Sequence, residues 1–240
     1  MDQTSFKVWS GESPFNGKPI SAILTNIYRK SKNVKIGDML QLWILSSELS
    51  PVKARALPEG DESVCGDCCL KPSNAASFKE SCYVARRAFQ APGQVWRHNM
   101  GLEVDMRSAL DRVRQIGKPI RYGGYGDAAM IPQDVFESIL SAVQESRGKK
   151  THTAYTHQHN SSFAGWIKDF AMASTHSLEE SEEMWDRGWR TFRITDGPNA
   201  SQHEIICPAF TKGLTCDNCC LCDGKRGCAD NRKSITIPRH

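Results

Sequence analysis

From about residue 103 to residue 194 the chain alternates stretches of helical period with short β-prone runs, and this alternation restricts its fold more than any other feature. A chain that passes from helix to strand at this spacing builds a parallel sheet with crossover helices. Residues 103–115 place Val104, Leu110, Val113 and, just beyond, Ile116 near one helical face, and Gly117 stops the helix before a strand at 119–122. Pro132 fits the first turn of a second helix, whose apolar positions Val135, Phe136, Ile139, Leu140 and Val143 recur at helical spacing. Further strands are expected at 152–156, 170–174 and 189–194, with a helix at 178–187 capped by Gly188. The fold class is therefore α/β, and the favoured arrangement is a (β/α) barrel-like one, whole or incomplete.

The first 100 residues read differently. Runs at 20–27 and 40–45 are β-prone and lie among the turn residues Pro14, Gly17, Pro19 and Gly37, while Pro51, Pro58 and Gly60 bracket a loop that leads to the first cysteines. We expect a single domain with three parts: a β-rich part (1–100), a β/α part (101–206) and a cysteine-rich, metal-binding C-terminal segment (207–240). The apolar share of 39% and the charged share of 24% are those of a globular protein. The richest apolar run, 39–45, is broken by Gln41 and is too short to span a membrane, so no membrane partner is expected. The first residues, Met1 to Ser5, lack the basic-then-apolar pattern of a secretory signal, and the expected location is the cytoplasm. A net charge of +4 tilts the choice of partner slightly toward nucleic acid.

A reducing cytosol disfavours disulfides, so ten cysteines point to metal ligation or catalysis. Cys216, Cys219 and Cys222 follow one another with two residues between each pair, and Cys207 stands nine residues upstream of Cys216. That spacing lets one loop wrap a tetrahedral ion, with Cys220 and Cys228 as spare donors. Four thiolates suit Zn2+, and the same set would hold an iron–sulfur cluster. Cys65, Cys68 and Cys82 form a second group. They read equally as a second metal site, completed by Cys69, a histidine or an external ligand, or as a buried cysteine group near the first.

Gly123-Gly124-Tyr125-Gly126-Asp127 stands where a strand gives way to a helix, which is where parallel α/β folds carry their active sites. Gly123, Gly124 and Gly126 would let a ligand approach the backbone, and Asp127 would act as nucleophile, base or hydrogen-bond acceptor. Its alternative role is a helix N-cap. The next strand runs into Thr156, His157 and Gln158, a polar run able to read a heterocycle's edge; His176 follows the strand after that, and Asp196, a second catalytic candidate, the one after. Arg86, Arg87, Trp96, Arg97, His98 and Asn99 interleave basic and aromatic groups, as phosphate contacts and base stacking require, although a solvated face with a core Trp explains them equally well.

Taken together, Asn33-Val34-Lys35-Ile36-Gly37-Asp38-Met39, Cys65-Gly66-Asp67-Cys68, Cys82-Tyr83-Val84, Arg121 to Asp127, Tyr155-Thr156-His157-Gln158, Met172-Ala173-Ser174 and Gly188 to Arg193 resemble a phage and bacterial family of cysteine-rich proteins over most of the chain. That family is similar to the tRNA-guanine transglycosylase superfamily, which includes phage enzymes that insert 7-deazaguanines into DNA and are barrels with a cysteine-bound zinc. In place of the superfamily's C-x-C-x2-C, this chain has C-x2-C-x2-C at Cys216, Cys219 and Cys222. The resemblance implies base exchange in DNA, with an aspartate attacking the anomeric carbon, a 7-deazaguanine as small-molecule substrate, and a host cytoplasm as location where the gene is a phage's. Two other readings stand beside it. One is a radical S-adenosylmethionine-like enzyme with Cys65, Cys68 and Cys82 on an iron–sulfur cluster, although their spacing departs from the C-x3-C-x2-C of those enzymes. The other is a zinc-stabilised nucleic-acid-binding protein without catalysis.

Overall fold

The computed structural model describes residues 3–31, 33–57, 59–72, 74 and 81–239; of the residues singled out above, Met1 and Pro58 lie outside them. Three antiparallel strands open the chain: β1 (Phe6–Glu12), β2 (Pro19–Thr25) and β3 (Leu40–Ser46). β3 is buried at every position, as its near-continuous apolar sequence requires of a strand covered on both faces. β4 (Ile120–Arg121) and β5 (His152–Thr153) then add in parallel to give the order β1-β2-β3-β4-β5.

After Ala154 the chain continues as β6 (Tyr155–Thr156), the first strand of a second, all-parallel sheet. It contains β7 (Met172–Thr175), β8 (Thr191–Thr195), β9 (Glu204–Ile206) and β10 (Ser234–Pro238) in the order β6-β7-β8-β10-β9. The strand expected at 152–156 thus serves both sheets and changes partner at Ala154, whose N–H donates to the Cys222 carbonyl (2.9 Å). The molecule is mixed α/β with two parallel-rich sheets. The ladders end at β1 and β9, and among the described residues no strand pairing joins those ends into the expected barrel.

The expected division into parts also changes. Beyond β3 the first 100 residues are helical rather than β-rich, with single turns at Pro51–Ala54, Glu62–Cys65 and Tyr83–Arg86 and the helix α1 (Ala91–Asn99). The C-terminal segment is built into the fold, because its β10 lies between β8 and β9. Cys207 and Cys222 cover one sheet face with Ile235, Tyr155 and Phe192, whereas Cys216 and Cys220 pack with Ile36 and Met39. Among the described residues no helix is long and apolar enough to cross a membrane.

Helices α2 (Met106–Ile116) and α3 (Gln133–Arg147) pack on each other. α2 begins later than its periodicity suggests because the Asp105 carboxylate accepts from Ser108 N (3.0 Å) and fixes the N-cap there. Val104 is consequently outside the helix and 52% exposed, whereas Gly117 ends α2 in the left-handed conformation (φ 64°), as expected. Pro132 is the residue before α3 rather than in its first turn, and all five predicted core positions of α3 are buried. Among them Phe136 stacks on Tyr122 at 3.8 Å between centroids. The helix α4 (Leu178–Asp186) is capped by Ser177, whose hydroxyl accepts from Glu180 N (3.0 Å).

Candidate functional site

Parallel strands end together, and the residues that follow β4, β6 and β7 meet at one rim. After β4 the chain does not turn directly into a helix. Gly124 N donates to Leu42 O and Tyr125 O accepts from Ile44 N (both 2.8 Å), so the glycine-rich stretch runs along β3. This pairing explains the glycines. Gly126 has φ 78°, and a Cβ there would stand 2.5 Å from the Ile44 carbonyl oxygen; one on Gly124 would touch the Trp43 ring at 3.0 Å. The room a ligand would need against Gly124 and Gly126 is filled by β3, and one on Gly123 would meet Gly126 O at 2.9 Å.

Asp127, next along, is 7% exposed. Its Oδ1 accepts from Ala129 N (2.9 Å) and its Oδ2 from His157 N (2.7 Å), and the Thr156 hydroxyl also hydrogen-bonds the carboxylate. The N-cap reading and the rim reading both hold, because the same side chain caps the short turn Ala128–Met130 and ties the ends of β4 and β6 together. A carboxylate offers about four acceptor sites, so these bonds leave one free. Among the described residues no cation pairs with it, and burial pushes its pKa up to about 6, only partly offset by the backbone and Thr156 hydrogen bonds. Burial, with His176 and His159 nearby, holds His157 down to about 3, so its imidazole is neutral. The His157 ring stacks on His176, with centroids 5.5 Å apart and planes 12° from parallel.

Two expected substrate contacts turn inward. Thr156 is fully buried, and Gln158 is 1% exposed and donates through Nε2 to Cys65 O (2.8 Å). They position the rim rather than face a substrate. Asp196 does not join the group: its side chain is 98% exposed, with Arg239 Nε 3.7 Å away. Trp96 donates to Ser46 O (2.8 Å) and packs at the core's edge, whereas Arg87, Arg97 and His98 are exposed.

The first cysteine group belongs to this same rim. Asp127 N donates to Val64 O (2.7 Å), and Cys65 lies beside Asp61, Cys82 and Asp127. Burial raises the Cys65 thiol far above the ordinary range and also raises Cys82, so both are neutral thiols. Two participants have partners that the sequence does not point to, although Cys69 stands in the first cysteine group. Asp61, 5% exposed, accepts from the Tyr125 hydroxyl (2.6 Å) and is pushed by burial up to about 6. Cys69 is exposed, and the neighbouring Cys68 and His176 hold its thiol down to about 5. Spacing gives no signal for either, because their partners lie far along the chain.

The C-terminal cysteines Cys207, Cys216, Cys219 and Cys222 form a separate neighbourhood. Cys222 lies near Cys207, Cys216 and Cys219, and burial raises its thiol above the usual range. Burial also raises Cys216 and Cys219, and pushes Cys220 up to about 12. Arg121 stands beside Cys216, and Lys150, whose Nζ donates to Asn218 O (2.6 Å), beside Cys219. In kind this donor set suits a thiophilic cation, with basic groups to balance thiolate charge. In arrangement it falls short, since among the described residues no three His, Cys, Asp or Glu side chains converge as one ion requires. The same is true, among the described residues, of Cys65, Cys68 and Cys82, for which a second metal site and a buried cysteine group are the two readings.

Against known proteins, the chain matches no family model, no curated protein and no solved structure.

Proposed function

We propose that the chain is a nucleic-acid-modifying enzyme that exchanges guanine for a 7-deazaguanine in DNA, with Asp127 as nucleophile. The observation that carries the reading is the Asp127 carboxyl itself, which is buried, has no ion-pair partner among the described residues and is fixed by the backbone N–H groups of Ala129 and of His157, the residue directly after β6. A desolvated carboxylate without a counter-charge favours positive charge developing next to it, and an anomeric carbon losing its base develops such charge. In the first step an Asp127 oxygen bonds to C1′ while the C1′–N9 bond breaks, and guanine leaves with that electron pair and takes up a proton. In the second, N9 of the 7-deazaguanine bonds to C1′, loses its proton and releases the carboxylate. His157 and His176 serve beside it as neutral ring and proton carrier.

Zn2+ on Cys207, Cys216, Cys219 and Cys222 is no part of this reading, because among the described residues these side chains do not converge on one point, and no step passes through a metal. The test is incorporation of a radiolabelled 7-deazaguanine into guanine-containing DNA. The wild-type chain is expected to incorporate label and Asp127→Ala to incorporate none, while Asp196→Ala, at its exposed position, continues. Incorporation by Asp127→Ala at the wild-type rate would sink the assignment, and absence of incorporation by the wild type with any DNA would favour a binding role.

A further inference from the structure

The basic and aromatic stretch at 86–99 takes no part in the chemistry at Asp127, and the fold changes which residues belong to it. Trp96 is occupied by its bond to Ser46 O and its packing at the core's edge, whereas Tyr83 and Phe89 stand 53% and 54% exposed. Lys53 and Arg55 join from an earlier part of the chain. Arg55 Nη1 donates to Arg86 O (3.0 Å), and the Arg55 guanidinium lies over the Phe89 ring, 6.0 Å from its centroid. The turn Pro51–Ala54 packs on α1, where a Cβ on Gly93 would meet the Val52 side chain at 3.5 Å. These contacts join residues 49–57 and 81–102 into one patch. The two segments contain Lys53, Arg55, Arg86, Arg87 and Arg97 and no aspartate or glutamate, whereas the whole chain has a net charge of +4. All of the chain's excess positive charge is therefore gathered here, and Lys53, Arg87 and Arg97 are exposed.

We propose that this patch binds a single-stranded nucleic acid, with Lys53, Arg87 and Arg97 on its phosphates and Tyr83 and Phe89 as platforms on which its bases stack. Positive charge by itself would draw any polyanion, but exposed rings among the basic groups gain only from a partner that also has flat faces to offer. In a duplex those faces are stacked on one another, which leaves the single strand as the fitting partner. Tyr83 directly follows Cys82 of the rim's cysteine group, so the patch begins beside the rim that carries Asp127. The inference deepens the base-exchange reading, on which it rests for the strand's purpose at that rim, while binding is measured without any chemistry.

The assay is fluorescence anisotropy of a dye-labelled oligothymidylate of about 16 nucleotides titrated with the full chain. Exposed charges at Lys53, Arg87 and Arg97 should give a slope of about −2 in log affinity against log salt, a loss of about 20-fold between about 50 and 200 mM. Lys53→Gln, Arg87→Gln and Arg97→Gln combined, with the fold checked by circular dichroism, should make the slope shallower by about 2. Phe89→Ala should weaken binding at least about fivefold and leave the slope unchanged, because the ring carries no charge. Absent or salt-insensitive binding by the wild type would overturn the proposal without any variant, and so would an unchanged slope in the folded triple variant. Polyphosphate of equal charge competing as well as the oligothymidylate, or unimpaired binding by Phe89→Ala, would overturn the stacking and with it the choice of partner. Wild-type binding without incorporation of labelled 7-deazaguanine leaves the patch standing and sinks the nucleophile; full incorporation by the triple variant at low DNA concentration does the reverse.

Discussion

Replacing Asp127 with Asn asks whether the protein keeps an ionised, dehydrated carboxyl at a cost to its own stability. Burial pushes this carboxyl up to about 6, from the ordinary value of 3.8. A folded-state pKa above the unfolded one means that the native chain binds the proton more tightly, so between these values stability falls as pH rises. For these two values the penalty is about 1 kcal/mol at pH 4.5 and about 3 kcal/mol at pH 7.5. Asparagine carries no charge, but it presents one acceptor where Ala129 N and His157 N both donate, which costs about 1–3 kcal/mol at every pH. The stability of Asp127→Asn relative to wild type should therefore rise by about 2 kcal/mol between pH 4.5 and pH 7.5. Urea unfolding of both chains across that range measures it, and taking the difference cancels the other titrating groups. A difference flat to within about 0.5 kcal/mol would refute the reasoning, since the carboxyl would then titrate alike in both states.

Phe136→Ala removes a fully buried ring stacked on Tyr122 and should cost about 3–5 kcal/mol in urea unfolding. Gly126→Ala forces a Cβ against the Ile44 carbonyl at a positive φ, so it should cost about 1–3 kcal/mol in the same assay, whereas a ligand-approach role would leave stability intact and weaken only binding. Elemental analysis of protein purified without oxygen should find no stoichiometric zinc, in keeping with C-terminal thiols that do not converge; zinc lost in Cys216→Ser and Cys219→Ser would contradict that geometry, and iron with sulfide and visible absorbance would support the radical-type reading.

What could be read from the sequence depended on how local each signal was. The α3 core positions and the Gly117 stop are written within one helix, and they came out as expected. The rim was legible too, because Asp127, His157 and His176 each follow a strand, and parallel pairing alone brings strand ends together. β10 was missed because Ser234–Pro238 follows a charged, cysteine-rich stretch, and only its place between β8 and β9 makes it a strand. The glycines of 123–126 were given to a ligand because sequence does not show β3 lying against them. Asp61 is 64 residues from Tyr125, and Cys69 meets His176 across more than 100 residues, so neither pairing has a spacing to find.

The most direct test of the central claim is to look for the covalent intermediate. The wild-type chain is mixed with guanine-containing DNA in the absence of free 7-deazaguanine, denatured, and its DNA-linked peptides are identified by mass spectrometry. The account requires a sugar-linked adduct on the peptide containing Asp127, released when 7-deazaguanine is added. An adduct confined to another residue, or exchange of label without any adduct on Asp127, would contradict it.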